Sequence, residues 1–547
     1  MRPASIRFAM AAASAAALAA PASAPAARFA IGLETPRAAA RVAAELERRT
    51  GAPAESLAPL PALVTSAPSA ARLEGIPGVR YVERLRTRRA QFTPNDPLVP
   101  RQWYLAQNRA FDAWQELPPL AAVRVAVIDS GIDGTHPELA SRVVAARSFV
   151  GGSPRTDSQG HGTFVAGLIA AGADDGIGIA GLAPGAELVV AKVVTSTGTI
   201  PVEAEVKAIR WAVAAGAQVL NMSLGGLRDP IDGSRDTYSR LEAEAIAYAI
   251  RKGVTVVAAV GNADQAPAQP WRYASWPAAL PHVLGVSALS RDGASPSFSN
   301  RDAVYNDISA PGQEIVSTFP LALTALRPAC PEQGYSPCGP PDYQEAEGTS
   351  FATPQVSAAA ATLLGTMPEL TPDQVVTILE RSAVDITQAT GCAPCGPGRD
   401  RLTGWGRLDV TAALAALALP LPPRDRFEPN DDAGSRAFTL WGSRRVVRAS
   451  VDFWDDQSDV YRVYLRRGQR LFVSLRATGT DPALALWRPG TREVDDLARQ
   501  DLRVRLSATV GAGEHLGYRA RAAGWYSVHV KLGIPGAGEY RLALVKR

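Results

Sequence analysis

Val125-Ala-Val-Ile-Asp129-Ser-Gly-Ile-Asp133 is a short apolar, β-branched run that ends on a carboxylate. Four more runs share its character: Leu188–Val193, Val219–Met222, Val254–Ala259 and Val283–Val286. Each is four to six residues long and mostly apolar on both faces, and a helix-length stretch separates it from the next. Strands buried on both faces and alternating with helices predict an α/β fold, a parallel sheet with helices on both sides. The pattern runs from Trp103 to about Ala418. In open sheets of this kind reactive groups collect beyond the carboxyl ends of the strands, where Asp129 stands.

Two further boxes carry chemistry. Gly160-His161-Gly-Thr-Phe-Val-Ala-Gly167 puts a histidine at the start of a small-residue helix, and Gly348-Thr-Ser350-Phe-Ala-Thr-Pro354 does the same for a serine. A serine hydroxyl is a poor nucleophile until an imidazole takes its proton, and a carboxylate on the far ring nitrogen holds that imidazole in the right tautomer. The helix start at His161 disfavours the imidazolium, and Asp129 offsets this as charge develops. Ser350 at its own helix start offers a backbone N–H to an oxyanion. Val256-Val-Ala-Ala-Val-Gly-Asn262 ends a strand on an amide that supplies a second donor. Asn221-Met-Ser-Leu-Gly-Gly226 leaves a backbone open for an extended peptide to pair alongside. Taken singly, Asp129 reads as a turn or cap residue, His161 as structural and Ser350 as a helix cap. Together, in the order Asp, His, Ser with the Asn box between, they converge on one reaction centre.

The flanks have their own patterns. Met1 to Arg7 is a basic start, Phe8 to Ala20 is apolar, and Pro21 to Ala26 is a small-residue exit. This predicts a secretory signal over residues 1–26, cut after Ala24 or Ala26, and it is too short to span a bilayer. Residues 28–90 read β-α-β-α-β, with strands at Phe29–Leu33, Ala62–Thr65 and Val79–Val82 and helices at Pro36–Arg49 and Ser69–Leu73. Residues 419–431 are Pro-rich, and short alternating strands such as Asp459–Leu465 and Gly524–Val530 follow, predicting a β-sandwich over 432–547.

The whole chain has 547 residues with 46% hydrophobic and 20% charged, which excludes wholesale disorder. Its 57 Lys+Arg against 53 Asp+Glu leave a formal +4, too little for a nucleic-acid partner. Four cysteines exclude a disulfide-dense scaffold. In an exported chain local pairs Cys330–Cys338 and Cys392–Cys395 are expected, with a cross-link between the two segments or a zinc site as rivals.

Across residues 95–418 the four boxes resemble the subtilisin-like serine peptidases, the subtilases. The resemblance implies a three-layer parallel sheet with Asp129 as orienter, His161 as base, Ser350 as nucleophile, Asn262 as oxyanion donor and Ser223, Leu224 and Gly225 as the substrate-pairing strand. It implies a propeptide over 27–94 that inhibits the enzyme intramolecularly, with Asn95-Asp-Pro as a mature start, polypeptide substrates and a monomer. The C-terminal region resembles the pre-peptidase C-terminal domain through Glu428-Pro-Asn-Asp431 and Asp456-Gln-Ser-Asp-Val-Tyr461. Glu138 stands where relatives often carry an Asp calcium ligand, and with Asp174 and Asp175 it is a candidate for a structural calcium that catalysis does not use. Val260 and Trp276 depart from the family pattern in ways that could narrow the pocket for the residue before the cut. The competing functions are a non-catalytic secreted binding protein and an acyl transferase to an amine.

Overall fold

A computed structural model describes residues 27–547 except 86–91, 115–122, 264–265, 326–340, 419–424, 429, 435, 453–455, 457, 493, 495–500, 510, 512 and 533–536. The signal segment and the Cys330–Cys338 pair lie outside the described residues. The chain forms two compact units, one up to Ala90 and one from Gln91 onward.

The first unit is a four-stranded antiparallel sheet of β1 (Ala27–Leu33), β2 (Glu55–Ser56), β3 (Ala62–Ala67) and β4 (Val79–Arg84), in the order β2-β3-β1-β4. Helix α1 (Ala39–Thr50) buries Val42 and Leu46, one turn apart, and stops at Gly51 with φ 72°. They pack on Phe29, Ile31, Leu33 and Leu63. The expected second helix is a single 3-10 turn, Ala70–Arg72. So few residues between strands cannot repay the cost of nucleating an α-helix.

In the second unit short helices α2 (Trp103–Gln107) and α3 (Ala110–Ala113) lead into β5 (Arg124–Asp129). Then follow β6 (Val143–Ser148), α4 (His161–Ala170), β7 (Glu187–Lys192), α5 (Val202–Ala214), β8 (Val219–Met222), α6 (Arg240–Arg251), β9 (Thr255–Ala259), β10 (Val283–Leu289) and β11 (Ile308–Pro311). The seven strands form one parallel sheet in the order β11-β10-β9-β8-β5-β7-β6. The order reverses at β5, so a crevice opens beyond its carboxyl end, beside Asp129. Side chains alternate between two cores. Val125 and Val127 join one with Phe164 of α4 and Val356 of α8 (Thr349–Thr366). Ala126 and Ile128 join the other with Ile209 of α5 and Ile246 of α6. The sheet is therefore covered on both faces, as the five apolar runs require.

A short α7 (Leu321–Thr324) precedes α8, and beyond α8 come α9 (Pro372–Ser382) and α10 (Val410–Ala416). Cys392 and Cys395 form a buried disulfide, so neither thiolate is left for zinc. The C-terminal region is a β-sandwich: a five-stranded sheet, built mainly on Ser458–Leu465, Pro482–Trp487 and Gly524–Leu532, faces a four-stranded one built on Arg444–Asp452, Arg470–Thr478 and Ala537–Lys546. Val463, Leu475, Leu486, Val528 and Leu542 fill the space between them. The sandwich meets the flank of the parallel sheet at a cavity of about 260 Å³, where His282, Asp373 and Trp405 face Asp431, Asp432 and Lys531. His282 Nδ1 lies 3.1 Å from Asp373 Oδ1. Burial alone would lower the His282 pKa, but Asp373, and next Asp432, raise it to about 9.

A chain ending near residue 420 keeps every strand of the parallel sheet. It is expected to fold and cleave a short peptide, with a lower melting temperature because the His282–Asp373 flank is uncovered. Thermal unfolding and peptide hydrolysis on the same preparation check this. A folded truncated chain that cannot cut would show that the sandwich takes part in catalysis.

Candidate active site

Asp129 closes β5 and is only 1% exposed. A buried carboxylate is costly unless hydrogen-bonded, and here Ser130 N donates to Oδ1 at 2.7 Å. His161 Nδ1 sits 2.8 Å from Oδ1 and 3.0 Å from Oδ2. With its proton on Nδ1, the ring presents Nε2 as a base. The approach is this close because the next residue is Gly162, where a Cβ would lie 2.1 Å from the Gly131 carbonyl oxygen. Burial by itself would lower the His161 pKa; the charge and hydrogen bond of Asp129, with Asp157 behind, raise it above the ordinary 6.5. The carboxylates thus outweigh the helix start that the sequence reading emphasised.

Asp157 is a residue that sequence reasoning missed. It is buried, and its carboxylate accepts from Ser130 Oγ, Gln159 N, Gly160 N, Thr163 N and Thr163 Oγ1. Ser130 Oγ in turn accepts from Gly162 N at 2.9 Å. The signal was present as an aspartate shortly before an apolar helix.

Ser350 is the second residue of α8, entered through Gly348 at φ 152°. Pro354 sits inside the helix and has no N–H to give the Ser350 carbonyl four residues back. Ser223 Oγ fills that role at 2.8 Å, and the Ser350 hydroxyl donates to the Ser223 carbonyl at 3.1 Å. Asn221 extends the link, donating from Nδ2 to Ser223 Oγ at 3.0 Å and accepting from Ser357 Oγ at 2.8 Å. The strand end and the helix start are thereby locked together. Asn262 Oδ1 accepts from Thr349 N and Thr349 Oγ1, each at 3.0 Å, which leaves Nδ2 as the donor end of the amide. Helices α4 and α8 meet through Phe164 and Phe351, whose ring centroids are 4.3 Å apart, and the His161 ring lies 5.5 Å from Phe351.

One cleft of about 140 Å³ collects Ser223, Leu224, Gly225, Asn262 and Ser350, with Gly226, Leu227, Ala259, Gly261, Ser275 and Thr349 completing its lining. No charged side chain is among them. Val260 and Trp276 are not among them either: both are buried in the core beneath α5 and α6. Trp276 reaches the wall through its main chain, where a Cβ on Gly225 would meet its carbonyl oxygen at 2.3 Å. Asp264, the acidic residue just past Asn262 in sequence, lies outside the described residues.

The calcium candidates Glu138, Asp174 and Asp175 fall in one region. Glu138 is buried; Oε1 accepts from Ile179 N and Tyr343 OH, while Oε2 is buried with no hydrogen-bond donor among the described residues. Burial, with Asp175 and Asp96 nearby, raises its pKa to about 7. Asp96 accepts from the backbone N–H groups of Asp174 and Asp175, and Asn95 Oδ1 accepts from Gly176 N. A buried orphan carboxylate oxygen facing an acidic loop fits a hard cation. Among the described residues it is a different group, Asp425, Glu428 and Asp456 in the C-terminal region, that brings three carboxylate oxygens within 4.8 Å of one another.

A doubly covered parallel sheet with a helix-borne serine, an amide donor and a carboxylate–imidazole pair at its carboxyl edge is a serine protease architecture. Residues 121–406 match the model of the subtilase family, and the chain belongs to that family as a subtilisin-like serine protease. It is 35% identical over 267 residues to subtilisin DY of Bacillus licheniformis, covering 49% of this chain and 85% of that protein. It is 33% identical over 275 residues to thermitase of Thermoactinomyces vulgaris, covering 50% and 85%. With fervidolysin of Fervidobacterium pennivorans the identity is 32% over 331 residues, 58% of this chain and 43% of the relative.

Because only neutral His161 can accept a proton and its pKa is raised, kcat/KM is expected to fall as the solution is acidified through a pH above 6.5. Asp129→Asn should move that limb to lower pH and cut kcat by about 10⁴. A pH–rate series on both proteins checks the two together.

Proposed function

We propose that the protein is a secreted endopeptidase that hydrolyses polypeptides through an acyl-enzyme on Ser350. The observations that support this reading are the 2.8 Å Asp129–His161 contact and the 5.5 Å approach of the His161 ring to Phe351, the residue that follows Ser350. A peptide pairing along Ser223–Gly225 donates its N–H groups to that backbone and displaces the Ser350 hydroxyl, which then turns to His161 Nε2. Ser350 Oγ attacks the scissile carbonyl carbon while its proton passes to Nε2. The oxyanion is held by Ser350 N–H and Asn262 Nδ2. Collapse of the tetrahedral species expels the amine, which takes the proton from His161, and water repeats the sequence to release the acid. Asn262→Ala should lower kcat by about 10²–10³, since one backbone donor remains.

The cleft lining favours a moderate-sized apolar residue before the cut, and profiling dominated by arginine there would count against it. Incubation with a peptide library, with and without a serine-directed phosphonate and an added amine, maps the cuts, the labelled residue and any transfer product. Hydrolysis with label on Ser350 supports the peptidase; amide products support acyl transfer; neither cuts nor label would point to a binding protein.

Residues 27–94 are read as a propeptide that the enzyme removes itself. The Pro-rich sequence around Asn95 is read as an extended tail that would supply a peptide for the cleft, and an intramolecular first cut would gain roughly 7–11 kcal/mol from positioning. Asn95 and Asp96 bond to the 174–176 loop, which suits a mature terminus anchored there. Ser350→Ala is expected to accumulate as a precursor with the propeptide still joined. N-terminal sequencing in a host lacking other proteases decides it, and normal maturation would sink self-cleavage.

Glu138, Asp174 and Asp175 are read as holders of a structural calcium, which would neutralise the buried Glu138 oxygen. Added calcium should then raise the melting temperature and a chelator lower it, and Glu138→Gln should abolish that difference.

A further inference from the structure

Behind the cleft lies a buried ion pair with no part in bond cleavage. Arg228, 8% exposed, directly follows the wall formed by Leu224–Leu227. Its guanidinium donates from Nη1 to Asp302 Oδ2 at 2.9 Å. Three rings surround it, Tyr273, Trp276 and Tyr305, with centroids 5.3, 5.8 and 5.4 Å from the guanidinium carbon. Asp302 Oδ2 also accepts from Ala274 N at 3.0 Å, and Ala274 directly precedes Ser275 on the opposite wall. The main chain is tied in the same way, since Trp271 Nε1 donates to the Arg228 carbonyl at 3.0 Å.

The two walls are therefore joined both at the rim and behind it. At the rim Gly226 and Trp276 exchange N–H···O bonds of 2.9 Å in both directions. Behind it the connection runs through Arg228, Asp302 and Ala274. A buried ion pair is a weak source of stability, and an apolar replacement of similar volume is often neutral or better. Three aromatic rings would pack well around such a replacement. What arginine adds is a directional tie to the carboxylate that also holds the second wall, through a planar group that stacks on the rings. We infer that Arg228 is a positioning residue: with Asp302 it sets the separation of the two walls, and so the size of side chain admitted before the scissile bond. This rests on the reading of the cleft as the peptide-binding site.

The test is kcat and KM for peptides that differ only in the residue before the cut, glycine, alanine, leucine or phenylalanine. Wild type, Arg228→Met, Arg228→Lys and Asp302→Asn are compared, each at an active concentration fixed by phosphonate titration. Arg228→Met is expected to change the kcat/KM ratio of leucine or phenylalanine to alanine by about tenfold, carried mostly by KM. Asp302→Asn, which keeps an acceptor for Ala274 N, should move the ratio in the same direction. Arg228→Lys keeps the charge without the stacking plane and should fall between. An equal loss on all four peptides, or unchanged ratios, would reduce Arg228 to a packing residue. If Arg228→Met does not fold, the other two variants decide by the same criterion. A wild type that takes no phosphonate on Ser350 would instead overturn the reading of the cleft, whereas a labelled wild type with unaltered ratios in the variants overturns the positioning role alone.

Discussion

Burying the Asp129 carboxylate at the end of the central strand is the constraint on which the rest of the site depends. An ionised carboxylate held away from water is tolerable only with donors in place. Ser130 N and His161 Nδ1 supply them, and His161 can do so only because α4 starts within reach. That start depends on Gly162 for approach and on Asp157 for the orphan N–H groups of the first turn. A chain of requirements thus runs from one carboxylate into the loop before α4 and the helix itself.

The same close-approach logic explains the composition of the two helices. Helices α4 and α8 are buried along almost their whole length, against the sheet and each other, so most positions are Ala, Gly, Ser or Thr. Larger side chains appear where the helices meet, as at Phe164 and Phe351. Pro354 would ordinarily weaken such a helix. Here the carbonyl it leaves without an N–H partner is the one Ser223 binds, so a local defect becomes the bond that registers the strand end against the serine.

Central strands were legible in the sequence because burial on both faces demands an unbroken apolar run, and five were read to within a residue or two at most ends. The sixth and seventh were not. Val143–Ser148 is an edge strand with exposed positions and an arginine, and Ile308–Pro311 is a four-residue edge strand that ends in proline. The first lacks the two-sided burial that makes a strand visible, while the second is fully buried but too short and too broken, by Ser309 and Pro311, to read as an apolar run. The site residues were legible as boxes because each reactive type sits beside glycine or a small residue. Their supports were less so: Asp157, Ser130, Asn221 and Ser357 are ordinary polar residues until folding brings them together. Trp276 shows the reverse error. A large residue in a pocket segment invites the reading that its ring fills the pocket, but the ring joins the core and its Nε1 donates to Asp236.

Those supports share one device. The loops at the carboxyl edge must be rigid to hold reacting groups, yet loops have few backbone partners of their own. Aspartates supply them. Asp157 gathers the turn before α4, Asp302 accepts from Ala274 N, Val304 N and Tyr305 N, and Asp229 accepts from Ile231 N and Asp232 N. Each carboxylate replaces several water contacts with fixed N–H groups, so the cost of its burial is offset by ordering a loop that would otherwise carry its own conformational entropy. Where one such aspartate also meets an arginine, as Asp302 meets Arg228, the loop is fixed not only in shape but in its distance from the neighbouring strand. In a cleft lined largely by main chain and small residues, that tie and the Gly226–Trp276 bonds at the rim act where side-chain bulk does not.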